Sequence, residues 1–425
     1  MKPKFQTVTG MHDILPDDYK YYEKVSDVAR GIAEFYNFSR IETPILEDSE
    51  VFVKGTGATT EIVQKQMFVL KTKGGDSLTL RPEGTPPVVR SYLENGMANW
   101  PQPVRLWYYG PFFRYEKPQA GRYRQFWQLG FEVFGHGTAI VDAQIIQIYY
   151  NILKELKLEN IIVEINSIGD PLCRPYYRKM LASYLRSRVS VLCPDCKVRV
   201  KENPMRILDC KNEKCQQVRA QAPQVMDHLC DECKAHFKEV LEYLEEIGLP
   251  YRLNPYLVRG LDYYSRTVFE IYQEGKENQG QTALGGGGRY DGLVKMMGGK
   301  DTPAMGGALG VDRIVMAMKA ADIKVGEEKQ VKVFLAQLGV LGKKKCLKLC
   351  EELRQADISV GESFDRDSLK SQLKIADKYG AKFTLLLGQK EALEGSIILR
   401  DMETGNQESL KLETAVAEIR KRFKK

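Results

Sequence analysis

Arg114-Tyr115-Glu116-Lys117-Pro118-Gln119-Ala120-Gly121-Arg122-Tyr123-Arg124-Gln125-Phe126, with the residues on either side, decides the fold. Upstream, residues 104–114 are rich in Val, Leu, Trp, Tyr and Phe, the composition of a strand. Pro118 and Gly121 supply turn chemistry. From Phe126 onward the sequence alternates. Phe126, Gln128, Gly130 and Glu132 fall on one face, and Trp127, Leu129, Phe131 and Val133 on the other. The expectation is an antiparallel hairpin with one apolar face. Its other face carries an amide and a carboxylate, Gly130 leaves room between them, and Arg114 ends the partner strand. Such a hairpin is a floor for a small polar ligand beneath an anion. A half-solvated sheet with no ligand alternates in the same way, so periodicity does not choose between the two.

Residues around this hairpin read as helices alternating with strands up to about residue 169. Val25, Val28, Ala29, Ile32 and Phe35 recur at near-helical spacing within 17–36. Thr85 before Pro86 reads as an N-cap and first helical position, so the strand Ser77 to Leu80 delivers Arg81 and Glu83 to a strand–helix junction. Glu83 is then either a functional carboxylate or part of a capping turn. A second arginine-centred stretch, Leu257-Val258-Arg259-Gly260-Leu261-Asp262-Tyr263-Tyr264, resumes strand chemistry. Gly285 to Gly288, followed by Arg289-Tyr290-Asp291-Gly292, permits close backbone approach by a ligand or forms a flexible turn. The run does not satisfy G-x-G-x-x-G, and no P-loop pattern occurs, so any nucleotide is held by neither device.

A chain of 425 residues suggests two to three domains. A hydrophobic fraction of 43% and a charged fraction of 28% exclude a disordered chain. Formal charge is +7, and from Val331 onward there are 19 Lys plus Arg against 14 Asp plus Glu, which concentrates the basic excess at the C-terminal end. That suits a polyanionic partner, although a soluble domain with the basic tail Arg420 to Lys425 gives the same balance. No stretch approaches the roughly 20 apolar residues of a membrane span. The N-terminal residues have no signal-peptide run, so a cytoplasmic location is expected. Beyond the polar stretch 321–330, strands at 331–337, 358–360 and 383–387 alternate with helices at 343–355 and 368–379. A β-pair (396–400, 407–410) and a terminal helix follow, an α/β module. The domains read as 1–169 with 255–325, an inserted mostly helical domain at 170–254, and the module at 326–425.

The insertion holds seven of the nine cysteines, six of them between residues 193 and 233. Cys193-Pro194-Asp195-Cys196 and Cys230-Asp231-Glu232-Cys233 are two C-x-x-C knuckles, the ligand count of a structural Cys₄ zinc site. In a reducing compartment thiols or metal ligands are expected rather than disulfides. The expected set is Cys193, Cys196, Cys230 and Cys233, with Cys210 and Cys215 as alternates or a second pair and His228 and His236 as spare ligands. Reduced cysteines in an insert without metal are the other reading. Cys173, Cys346 and Cys350 read as plain thiols.

Several ordered blocks resemble a known family. Arg114 to Phe126 is similar to motif 2 of the class II aminoacyl-tRNA synthetases, and Leu257 to Tyr264 resembles a block of histidyl-tRNA synthetases. Thr9 to Pro16 resembles their N-terminal segment, Ile41 to Glu47 motif 1, Leu80 to Thr85 the amino-acid-binding loop, Ala283 to Leu293 the second histidine block and Gly306 to Ile314 motif 3. The resemblance implies an α+β catalytic domain on an antiparallel sheet, the class II synthetase fold, with the C-terminal α/β module as anticodon-binding domain. It implies ligation of L-histidine to tRNA-His through a histidyl-adenylate, with ATP consumed alongside Mg²⁺, and a homodimer. It places Arg114 and Arg259 on the α-phosphate, Arg259 also on the histidine carboxylate, Arg122 on a further phosphate, and Arg313 over the adenine and toward the γ-phosphate. Phe126 would stack the other adenine face and Glu116 meet its edge. Glu83 and Gln128, with Thr85 beside them, would hold the α-ammonium. Glu132 and Tyr264 would face the imidazole, and Tyr263 line the pocket. A zinc in the insertion would lie remote from the reacting atoms. Trp127, Lys117 and Gln144 depart from residues common in the family, none of them at an assigned contact. A non-catalytic relative, the regulatory subunit of ATP phosphoribosyltransferase, lacks the C-terminal module and the arginine of the histidine block, both of which this chain retains.

Overall fold

The computed structural model describes residues 4–274, 283–326 and 331–423. The chain divides into two units, Met1–Val325 and Gly326–Lys425. Strands of the first unit are β1 (Ser39–Arg40), β2 (Leu46–Asp48), β3 (Phe68–Lys71), β4 (Ser77–Leu80), β5 (Val104–Phe113), β6 (Gln125–Phe134), β7 (Ile161–Ser167), β8 (Tyr251–Leu253), β9 (Ser265–Gln273), β10 (Gly285–Arg289) and β11 (Ala304–Gly310). Eight of them form one sheet in the order β1-β5-β6-β11-β10-β9-β7-β8, antiparallel except at its two ends, while β2-β4-β3 form a small second sheet.

The hairpin expected from alternation is β5–β6, paired Phe112↔Phe126, Gly110↔Gln128, Tyr108↔Gly130 and Leu106↔Glu132. Leu129, Phe131 and Val133 are buried under the helices Pro16–Phe35 and Ala139–Glu155, whose apolar stripes share their core. Gly130 does not leave room for a ligand. Its cross-strand partner Tyr108 lays its ring there, and a Cβ at Gly130 would come within 2.3 Å of the Tyr108 hydroxyl. Gly84 abuts the same ring, with a Cβ only 2.4 Å from that hydroxyl. The glycine strand β10 lies between β9 and β11, and a Cβ on Gly287 would sit 2.2 Å from the carbonyl of Gly306. The close approach is therefore made largely by the neighbouring strand.

Thr85 begins the helix Thr85–Glu94 instead of capping it, and Gly84 is the N-cap. The Thr85 hydroxyl is occupied elsewhere, donating to Glu132. Residues 170–254 are mainly helical but divided in their packing. Arg174–Arg186, Pro194–Glu202 and Glu213–Ala220 share a core with the face of β5 that carries Leu106 and Tyr108. By contrast, Asp231–Glu246 packs on Ala139–Glu155 through Phe237, Val240 and Leu244, and β8 extends the sheet beside β7.

The second unit has strands β12 (Val333–Gln337), β13 (Val360–Glu362), β14 (Phe383–Leu387), β15 (Ser396–Asp401) and β16 (Gln407–Lys411), in the order β13-β12-β14-β15-β16. The first three in that order are parallel and the last two antiparallel. Helices Gly339–Gln355, Leu369–Lys378 and Ala415–Phe423 follow the expected alternation. A short helix, Gln389–Glu394, was not expected from the sequence. Lys424 and Lys425, the end of the basic tail, lie outside the described residues.

Candidate active site

Elements of the first unit converge on a cavity of about 290 Å³. The strand–helix junction after β4 supplies Glu83 and Thr85, the β5–β6 loop Arg114, Glu116 and Arg122, β6 Phe126 and Gln128, the segment before β9 Arg259, Tyr263 and Tyr264, and the helix after β11 Arg313. Every expected site residue outside the cysteine set lines this cavity except Glu132.

The junction separates its two charges. Arg81 turns away into a structural role, donating to the carbonyls of Thr43 (2.7 Å) and Pro111 (3.0 Å). Glu83 points into the cavity, fully buried, and accepts from Thr56 and from the Tyr263 hydroxyl at 2.8 Å. Burial raises its pKa, opposed by those hydroxyls and by the positive charges of Arg114 and Arg259. Gln128 lines the same cavity, and among the described residues its Oε1 is buried without a hydrogen-bond partner. A carboxylate and a free amide oxygen make an acceptor pair suited to an ammonium group.

The cations are held by carbonyls and carboxylates. Arg114 Nε donates to the Pro82 carbonyl (2.8 Å), its guanidinium stacks 5.3 Å from the Phe126 ring, and Glu116 lies between it and Arg122, 4.0 and 3.8 Å away. Arg313 donates to the carbonyls of Gly121 (3.0 Å) and Ala283 (2.6 Å). Gly121 adopts a left-handed φ of 71° in that loop. Burial, then the nearby Arg122 and Arg114, push the Arg313 pKa down to about 10. Arg259 pairs with Glu270 on β9 and packs 5.9 Å from the Tyr264 ring. Burial works against its charge, but Glu270 together with Tyr264 and Tyr263 outweighs it and the net pKa is raised. The Nε atoms of Arg259 and Arg122 have no partner among the described residues. Unpaired buried donors are costly, and an anionic ligand satisfies them.

Glu132 is wholly buried beneath the cavity-lining Thr85, whose hydroxyl donates to it at 2.7 Å, and it also accepts from Tyr290. Gly306 stands opposite it on β11, and a Cβ there would come within 1.7 Å of its carboxylate. Tyr290, Tyr108, Tyr272, Glu270, Asp209 and Lys211 are further members of the site or its support that sequence reading did not name. Tyr290 stands two residues beyond the glycine run, which was the available signal. Asp209 and Lys211 come from the helical insertion and carry no periodic signature.

The cysteines group otherwise than expected. Cys193 and Cys196 meet Cys210 and Cys215, while Cys230 and Cys233 meet Asp170 and Cys173, and the ligand atoms of each group lie within 4.8 Å of one another. The two knuckles do not share one site, because each heads its own helix and the loop 203–215 folds back only on the first. Neither spare histidine joins them. His236 bonds Asp142 at 2.8 Å in a buried network with Arg289, and His228 stacks on Tyr177.

The chain matches the family model described as histidyl-tRNA synthetase over residues 10–171 and 191–314, and an anticodon binding domain model over 330–422. It is 44% identical over 412 residues to the histidine–tRNA ligase of Halothermothrix orenii, covering 97% of this chain and 98% of that one. The histidine–tRNA ligase of Pelotomaculum thermopropionicum is 42% identical over 414 residues, with 97% of each chain covered. The crystal structure of apo Staphylococcus aureus histidyl-tRNA synthetase superposes with a TM-score of 0.81 at 34% identity, covering 98% of this chain and 99% of that one. On these grounds, with the fold and cavity above, the chain belongs to the histidyl-tRNA synthetase family.

Proposed function

We propose that this enzyme ligates histidine to tRNA-His in two steps, using ATP that arrives with its own Mg²⁺. The observation that carries the reading is the set of groups in one cavity that lack partners among the described residues: an acceptor at Gln128 Oε1, in the lining with Glu83, and donors at Arg259 Nε and Arg122 Nε. An amino acid presents an ammonium to the first and a carboxylate to the second, and ATP presents phosphates to the arginines. In the first step the histidine carboxylate attacks the α-phosphorus, a new C–O–P linkage forms, and the bond to pyrophosphate breaks. The carboxylate is already ionised at neutral pH, so no base is required there. Arg114 and Arg259 hold the two anions together and spread the charge of the transition state. In the second step a ribose hydroxyl of the tRNA attacks the activated carbonyl and AMP leaves.

Histidine is selected through Tyr263 and Tyr264 on the cavity wall and through Glu132, which acts from beneath Thr85. A site of buried carboxylate and hydroxyl groups rejects an apolar mimic by about 10⁴–10⁵, because those groups would be left unpaired. The second unit reads the tRNA, consistent with its basic balance. A homodimer is proposed through motif 1, where Ile45 and Leu46 are 44% and 45% exposed and Val69 and Leu70 on the same small sheet are about half exposed. No helix among the described residues is long and apolar enough to cross a membrane, and a cytoplasmic site of action fits this reading. Arg259 lines the cavity together with Arg114, Arg122 and Arg313, which favours the enzyme over a non-catalytic relative. Incubation with labelled histidine, ATP and bulk bacterial tRNA tests the proposal: acid-precipitable histidyl-tRNA should accumulate, and its absence with folded protein would refute it.

A further inference from the structure

We propose that Cys193, Cys196, Cys210 and Cys215 hold one tetrahedral zinc ion, and that this ion fixes the segment presenting Asp209 and Lys211 to the cavity. Four Zn–S bonds of about 2.3 Å place the sulfurs of a tetrahedron about 3.8 Å apart. Cys193 Sγ and Cys210 Sγ are 3.9 Å apart, and all four sulfurs lie within 4.8 Å of one another. A disulfide needs about 2.05 Å, so this spacing suits a shared ion and not a bond. Cys196, Cys210 and Cys215 are buried, which closes the site to an exchangeable ligand. An all-thiolate set of four with no open position selects zinc in a structural role.

The local backbone is arranged for thiolates. Cys193 is the N-cap of Pro194–Glu202, so Cys193 and Cys196 flank the first turn, where unpaired N–H groups and the helix dipole favour negative charge. The Cys193 amide donates to Cys215 Sγ at 3.3 Å, an N–H···S bond that orients a metal-bound sulfur. Cys215 lies in the first turn of Glu213–Ala220, so the ion would tie two helix starts to the loop between them. The second group is chemically different. Asp170 Oδ1 already accepts from the Leu172 and Cys173 amides (2.9 and 3.3 Å), and Oδ2 is 3.5 Å from Arg266. Its carboxylate is thus committed to protein partners.

The ion would not be remote from the cavity, as the sequence alone suggested. Cys210 stands between Asp209 and Lys211, both of which line it. On the same segment Arg206 donates to the backbone carbonyl of Arg259 (3.0 Å) and Asn203 to Asp262 (2.9 Å). Anchoring Cys210 therefore holds the backbone that supports Arg259 as well as two cavity side chains. The four sulfurs stand together whatever the cavity binds.

The test uses full-length protein purified without chelators. Elemental analysis should give about one zinc per chain attributable to this site. Cys196→Ser/Cys215→Ser should lose one equivalent, and Cys230→Ser/Cys233→Ser should not lose that ion. Zinc extraction should accelerate amide hydrogen exchange across residues 203–215 while leaving the β12–β16 sheet unchanged. Zinc-free protein with these four thiols titrating freely would overturn the proposal, as would full zinc retention in Cys196→Ser/Cys215→Ser. If that variant fails to fold, cobalt-substituted wild type decides: a tetrahedral thiolate spectrum that Cys230→Ser/Cys233→Ser retains is expected, and its absence overturns the site. Unchanged exchange at 203–215 after extraction would overturn the positioning role.

Discussion

Glu132→Gln should flatten the pH dependence of stability in the first unit. Glu132 is fully buried, and burial foremost, with Glu83 adding, raises its carboxyl from an ordinary 4.5 to about 8 against the bonds from Tyr290 and Thr85. A carboxyl with a raised folded pKa keeps its proton in the native state over a range where the unfolded chain has released it. Its contribution to stability is therefore whole below the unfolded pKa and is lost as pH rises through the folded one. At about 1.36 kcal/mol per pKa unit, integrating over both titrations between about pH 5 and pH 9 gives a loss of about 4 kcal/mol from this one group. Glutamine keeps the shape and does not titrate. The stability of the variant relative to wild type should then move by about 4 kcal/mol in its favour across that range, since other groups cancel in the comparison. Urea unfolding followed by tryptophan fluorescence is the assay. Trp100, Trp107 and Trp127 all lie in the first unit, so the signal reports that unit alone. Equal differences between variant and wild type at the two pH values would refute the argument. The same variant should raise the KM for histidine more than that for ATP, because an amide can turn its NH₂ toward the hydroxyls of Thr85 and Tyr290 that now donate to Glu132, and so disturb the cavity-lining Thr85.

Arg259→Ala should lower kcat for adenylate formation by about 10²–10³ while histidine binding remains measurable, since one donor to the transition-state charge is removed; exchange rates near wild type would discharge Arg259 from that role. Asp142→Asn removes the charge that pairs with the wholly buried Arg289 and should cost about 3–5 kcal/mol, read as a lower unfolding midpoint, with an unchanged midpoint counting against it. Residues 1–325 alone should retain histidine-dependent pyrophosphate exchange but charge tRNA poorly, and the charging lost should be the salt-sensitive part. Equal charging by the truncated and full chains would exclude the second unit from tRNA binding.

Much of this architecture is legible wherever a period or a fixed turn carries it. The alternation from Phe126 to Val133 defines β6 because a pleated strand sends successive side chains to opposite faces. The βα order of the second unit is visible for the same reason, except Gln389–Glu394, whose six residues are too few to display a helical period. What cannot be read is the outcome of tertiary approach. Gly130 signals an open space, but only the pairing with Tyr108 says what fills it. Two C-x-x-C knuckles signal thiolate clusters, yet which loop folds back on which knuckle is a long-range matter, and the sulfurs sort into two groups. Thr85 before Pro86 has the chemistry of a cap, but Glu132 across the cavity floor claims its hydroxyl. Asp209 and Lys211 belong to an irregular segment, so nothing in their spacing ties them to the arginines they face.

The arginine-lined cavity is proposed to join histidine to an adenylate. The most direct test is ATP–pyrophosphate exchange by the full-length protein, without tRNA, offered each proteinogenic amino acid in turn. Labelled pyrophosphate should enter ATP with histidine alone. Binding of both histidine and ATP without exchange, or exchange driven by a different amino acid, would contradict the claim.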